Sequence, residues 1–148
     1  MITMIEIVQE VRKKLIEKIE GNVTYNSSDV PIYNFTPKNQ ATPYIRIYTI
    51  DSNEINFNLS TYILEVNIRI DVITSFDGDG GGELQANQII SQVLNQTRTR
   101  TSGYIDLTSN NANVISVINN GVRYIEQYDK DRSYVIANLD LQFKIELL

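Results

Sequence analysis

One stretch limits the possible folds more than any other: Tyr62 to Ile73, read Y-I-L-E-V-N-I-R-I-D-V-I. Tyr62, Leu64, Val66, Ile68, Ile70 and Val72 occupy every second position, with Glu65, Asn67, Arg69 and Asp71 between them. A pleated strand sends these two sets to opposite faces, so the stretch predicts one core face and one wet face. A parallel strand covered on both sides would be apolar throughout, so the pattern favours an antiparallel sheet with one solvated side.

The rest of the chain must supply what covers the core face. At 148 residues there is room for one domain spanning 1–148, and 42% hydrophobic against 21% charged residues is too apolar for disorder. Cys and His are both absent. That excludes disulfides, thiol nucleophiles, imidazole zinc sites and His-dependent triads, leaving carboxylates, Lys and Tyr for any acid–base chemistry. The formal charge of −5 argues against a general nucleic-acid binder, which needs clustered cations facing phosphate. Met1 to Glu6 carries no basic stretch followed by an apolar one, and no apolar run approaches a membrane span. The expectation is a soluble protein, cytosolic at synthesis.

Taken in order, Thr3 and Glu6 stand at capping-box spacing, and Ile5, Val8, Val11, Leu15 and Ile19 recur every three or four residues. They predict an amphipathic helix from Met4 to Ile19, stopped at Gly21. Pro31, Pro37 and Pro43 keep Asn22 to Pro43 irregular, with a short edge strand between Val30 and Phe35. A second strand covers Tyr44 to Ile50, and Asp51 to Leu59 is expected to loop back to the organising strand. After Ile73, the segment from Ser75 to Glu83 holds four of the seven glycines and leads into a second helix, Glu83 to Gln96. Its expected apolar face is Leu84, Ala86, Ile89, Ile90, Val93 and Leu94. A loop from Thr101 to Ala112 precedes two closing strands, Asn113 to Tyr128 and Ser133 to Leu148. Asn120-Gly121 is a hairpin signal, but a turn at Asp129 to Arg132 gives arms of equal length, so Asn120-Gly121 is read as a bulge within one strand. The fold class expected is α+β: an antiparallel or mixed sheet, an N-terminal amphipathic helix, and a second helix inserted between the central and C-terminal strands.

Three constellations invite chemistry. The Gly-rich turn has the backbone for a phosphate cradle, but Asp77, Asp79 and Glu83 would repel phosphate and no P-loop lysine follows. Calcium suits the acids better, although an EF-hand would need an oxygen ligand at Gly81 and Glu at Gln88. A metal- or ligand-binding domain using Asp77 to Glu83 therefore stands as the alternative from a different functional class. Glu65 and Asp71 resemble a glycosidase carboxylate pair, yet opposed charges on a solvated sheet face are more often cross-strand partners. Arg98 and Arg100, in T-R-T-R-T ahead of Tyr104, are too few for nucleic-acid affinity in an acidic chain and suit contact with a protein. No catalytic residue, cofactor or resident metal is expected.

The order of elements resembles the bacteriophage tail-terminator or tail-completion family, whose members include head-to-tail joining proteins. The features that carry the resemblance are the amphipathic N-terminal helix, the loop ending in Pro43-Tyr44-Ile45 and the alternating strand ending at Asp71-Val72-Ile73. Beyond these come a Gly-rich turn into a helix with Ala86, Ile89 and Ile90, and two C-terminal strands. The resemblance spans nearly the whole chain. It implies a non-enzymatic virion protein of the tail or neck, assembled in host cytoplasm as a homo-oligomeric ring, typically a hexamer. Such a ring caps the tail-tube protein, presents a surface to the neck or connector protein, and lets genome DNA pass without specific binding; another head-completion ring is the nearest alternative. Asp51, Asn53 and Glu54 in one loop, Asp77 and Asp79 in the other, and Arg98 with Arg100 are the candidate partner contacts.

Overall fold

The computed structural model describes residues 4–35, 37–39, 41–56, 62–76, 83–97, 104–128 and 132–148. Helix α1 runs Met4–Ile19 and buries Ile7, Val11, Leu15 and Ile19 completely. The buried stripe thus includes Val11, Leu15 and Ile19 as the spacing predicted, adds Ile7, which it did not select, and leaves Val8 and Ile16 at its margin. A hairpin of two short strands follows, β1 (Thr24–Tyr25) and β2 (Ser28–Asp29), where only irregular chain was expected. Asn26 and Ser27 turn it at positive φ, and Val23 and Val30 on its flanks enter the core.

The edge strand expected before Phe35 is present as β3 (Ile32–Tyr33), and it runs parallel to β4 (Tyr44–Asn56), which makes the sheet mixed. Next come β5 (Tyr62–Phe76), α2 (Glu83–Thr97), β6 (Ala112–Tyr128) and β7 (Ser133–Leu147). The five strands lie in the order β3-β4-β5-β7-β6, antiparallel after the first pair. This is the α+β arrangement anticipated, with α2 inserted between the central strand and the C-terminal pair.

Both helices lie against one face. Leu64, Val66, Ile68, Ile70 and Val72 of β5, with Val135, Ala137, Leu139, Leu141, Phe143 and Ile145 of β7, are buried beneath them. The helix α2 contributes Ala86, Ile89, Ile90, Val93 and Thr97 to that core. Leu84, expected on its apolar face, is 71% exposed because the helical turn places it on the side opposite Ala86, Ile89, Ile90 and Val93. Tyr62 is likewise exposed at the sheet's end, although its parity matched the core residues. Gln92 joins α2 to the hairpin by strand-like pairing: Thr24 N–H donates to its Oε1 at 2.9 Å, and its Nε2 donates to Thr24 O at 2.8 Å.

Two strands carry extra residues that shift their alternation. In β4 the register moves between Thr49 and Asp51, so Ile50 is a bulge. After it the strand continues in opposite phase to Asn56, and Asp51, Asn53 and Glu54 belong to β4 rather than to a connecting loop. The sequence concealed this because a bulge breaks the period of two by which a strand is recognised. In β6 the register shifts between Val114 and Ser116 and again between Asn119 and Val122, the second at the Asn120-Gly121 pair read as a bulge. Gly121 has φ +109°, and its N–H donates to Asn119 Oδ1 at 2.8 Å, which closes the kink locally. The strand β5 also runs past Ile73 to Phe76, taking Ser75 and Phe76 from the expected turn.

Candidate interaction surface

The face of the sheet turned away from the helices is covered by no other element among the described residues, and its chemistry is arranged in rows across the strands. The row Tyr44, Ile73, Ile136 and Ile125 is apolar across four strands. Beside it Tyr33, Arg46, Asp71, Asn138 and Arg123 form a polar row across all five. Farther along, Arg69 faces Asp140 and Glu65 faces Lys144. Each row follows from the alternation in the sequence: residues that escape the helix side of the pleat meet their neighbours on this one.

The predicted wet face is therefore only half wet. Asp71 is 1% exposed and Ile73 is also buried, because the long side chains on this face lie over one another. Arg46 donates to Asp71 Oδ2 from Nη2 at 2.5 Å and from Nε at 3.2 Å. Asp71 Oδ1 has no hydrogen-bond partner among the described residues. Partial burial pulls the Arg46 guanidinium down, and the hydrogen bond and charge of Asp71, aided by Tyr48 and Tyr44, more than offset it, so its net pKa is raised. Arg69 forms a forked pair with Asp140, 2.7 Å from Nε to Oδ1 and 3.1 Å from Nη2 to Oδ2. That hydrogen bond raises the Arg69 pKa, with desolvation opposing it and Tyr48 assisting. Lys144 Nζ lies 3.8 Å from Glu65 Oε1. Glu65 and Asp71 thus answer to different cations on different strands, as cross-strand partners rather than as a carboxylate pair around a substrate.

Aromatic rings gather where β3 borders this face. Tyr33 meets Phe35 and Tyr44 edge-on, with centroids 5.6 and 6.1 Å apart, and the Arg46 guanidinium lies 5.0 Å from the Tyr48 ring centre. Phe35 is 59% exposed. A shallow hollow of about 320 Å³ lies beside the apolar row, lined by Thr42, Tyr44, Arg46, Ile73, Gln127, Tyr134 and Ile136. At the far edge β6 exposes Ile125 on this face, while Tyr124 and Tyr128, opposite Ala137 and Ser133, stand on the helix side, where the Tyr124 hydroxyl donates to Asn87 Oδ1. Tyr, Arg and aliphatic side chains in such proximity are the composition of protein-binding surfaces. The sequence reading missed this surface, since it needs the register of five strands; the signal available was the recurrence of Tyr and Ile among the off-core positions of the strands.

The sequence-nominated contact residues fare differently. Asp51 accepts from Asn67 Nδ2 at 2.5 Å on the open face, and Asn53 stands opposite Glu65 there. Glu54 stands opposite Leu64, on the helix side, so the three do not form one contact loop. Asp77, Asp79, Arg98 and Arg100 lie outside the described residues, as does the turn from Asp129. Among the described residues no cluster of three or more acidic side chains is placed to hold a metal, and no helix is long and apolar enough to cross a membrane. No protein-family model and no curated protein sequence matches this chain.

Proposed function

We propose that this protein is a structural subunit of a phage tail or neck, of the tail-terminator or tail-completion kind, which closes into a homo-oligomeric ring and joins a tail tube to a head connector. The observation that carries the reading is the one-sided sheet. Two helices cover a single face, while the other face and both edges offer aromatic, aliphatic and arginine side chains to something outside the subunit. A surface built of cross-strand ion pairs around an apolar row suits a partner of large area better than a small substrate, which needs an enclosed cleft with a few convergent polar groups. The order of elements, with a helix before the sheet and another inserted ahead of the last two strands, supports the family resemblance. In this reading the ring caps the tube, its channel passes DNA without base contacts, and the acidic balance keeps the chain from adhering to the genome.

The test is to polymerise the tail-tube protein encoded in the same genome with and without this chain. Shorter tubes bearing a ring at one end are expected. Tubes of unchanged length with bare ends would remove the reading.

A further inference from the structure

We infer that successive copies meet edge to edge, with the β6 edge of one packed on the aromatic β3 edge of the next, Arg123 at Tyr33 and Phe35 and Ile125 at Pro31. This inference rests on the ring reading above and names the surfaces that the ring would use.

Among the described residues β6 pairs only with β7, and β3 only with β4, so the sheet ends in two different edges. Natural edge strands are guarded by bulges, prolines or short length. The first part of β6 has two bulges, but residues 122–128 run in unbroken register with β7 and contain no proline. That segment is exposed on both faces apart from Val122, and Arg123 has no ion-pair partner among the described residues. It is a long, regular, apolar-bearing edge on whose outer side no other strand pairs among the described residues.

Strand direction makes the opposite edge a fitting partner. From β6 through β7, β5 and β4 each step reverses direction, and β3 follows β4, so β6 runs antiparallel to β3. A second copy related by rotation, with no inversion of its faces, continues the sheet as an antiparallel pair, with backbone pairing confined to the two residues of β3 and the rest of the contact made by side chains. The polar row beginning at Tyr33 ends at Arg123, so extending it into the next copy brings Arg123 to that copy's Tyr33. The two edges complement one another. The aromatic edge has rings but its Arg46 is engaged by Asp71, whereas the β6 edge supplies an exposed cation and Ile125. An arginine over an exposed tyrosine or phenylalanine ring is attractive, as Arg46 over Tyr48 already is within the subunit. Joining unlike edges makes a head-to-tail contact, which yields a ring when the rotation closes. Pairing β6 with β6 would instead leave the aromatic edge uncovered and stop at a dimer.

The chain contains no cysteine, so introduced thiols report only their own positions. Asn34→Cys and Asn120→Cys place one thiol on each edge without removing a proposed contact. With a short bis-maleimide, a mixture of the two single variants is expected to give a cross-linked dimer that neither gives alone. The double variant is expected to give a ladder ending at the ring's copy number. Arg123→Glu and Ile125→Lys should abolish that ladder while leaving the urea midpoint of the subunit unchanged. Dimer formation by Asn120→Cys alone would overturn the inference in favour of a symmetric β6 contact. Rings by light scattering without any mixed cross-link would overturn the edge assignment and leave the ring reading standing. A chain that stays monomeric throughout, with and without added tail tubes, would remove both.

Discussion

Asp71 and Asp140 show how two carboxylates of similar sequence context differ in their weight. Both face arginines across strands, but Asp71 is shielded from water whereas Asp140 and its partner Arg69 are each about one-third exposed. Replacing Asp71 with Ala removes the carboxylate to which Arg46 donates, and a charged hydrogen bond of this kind is worth about 1.5–3 kcal/mol. The exposed pair is screened by solvent, so Asp140→Ala should cost only about 0.2–1 kcal/mol. Urea titration of the two variants checks this order, and equal losses would contradict the burial argument. Asp106 offers a pH test. Its carboxylate accepts from the Thr108 hydroxyl at 2.6 Å and the Thr108 N–H at 2.9 Å, and these bonds lower its pKa below the ordinary value. A depressed folded pKa means that the stabilisation is present above the unfolded value and is lost as pH falls through the folded one. NMR titration of the Asp106 carboxyl should therefore show a midpoint below that of an unstructured aspartate. That Glu65 and Asp71 would act as cross-strand partners was legible in the opposed charges of the wet face, but the cations they meet are fixed by register. The burial of Asp71 was not, since it depends on Arg46 and the neighbouring side chains of other strands.

Among the elements, those with undisturbed periods were read closely and those with phase shifts were not. The helix α1 and the strand β7 fall at their expected positions because nothing interrupts their spacing. The end of β4 was read as a loop because Ile50 inverts the alternation, and the hairpin β1–β2 was missed because two-residue strands leave no period to detect. Burial along α1 turned on which stripe faces the sheet, and Ile7, fully buried in that stripe, should matter far more than the exposed Leu84. Ile7→Ala is expected to cost about 2–5 kcal/mol through lost burial and a cavity. Leu84→Ala should change stability by no more than about 0.5 kcal/mol, as an exposed substitution. Thermal or chemical unfolding compares them directly. At Gly121 a Cβ would meet nothing within 4 Å, so Gly121→Ala isolates the cost of positive φ. That cost should be about 1–3 kcal/mol. A neutral effect would mean that the β6 bulge relaxes without the left-handed backbone.

For the whole molecule, the α+β class and the one-sided core were legible in the alternation of the central strand, but the interaction surface was not. Its residues are drawn from five strands, and their proximity is fixed by register rather than by sequence spacing. The resulting fold is asymmetric: helices on one side of the sheet, a ladder of cross-strand pairs that no other element covers among the described residues on the other, and two chemically different edges. Head-to-tail contact between such edges gives a finite object only if it closes. The most direct measurement is the native mass of the purified protein by light scattering, with negative-stain images of the same fraction. The account predicts closed rings with a mass near six times the 16.9 kDa subunit, either alone or on the ends of tail tubes. A monomer at every concentration, with no ring on added tubes, would contradict it.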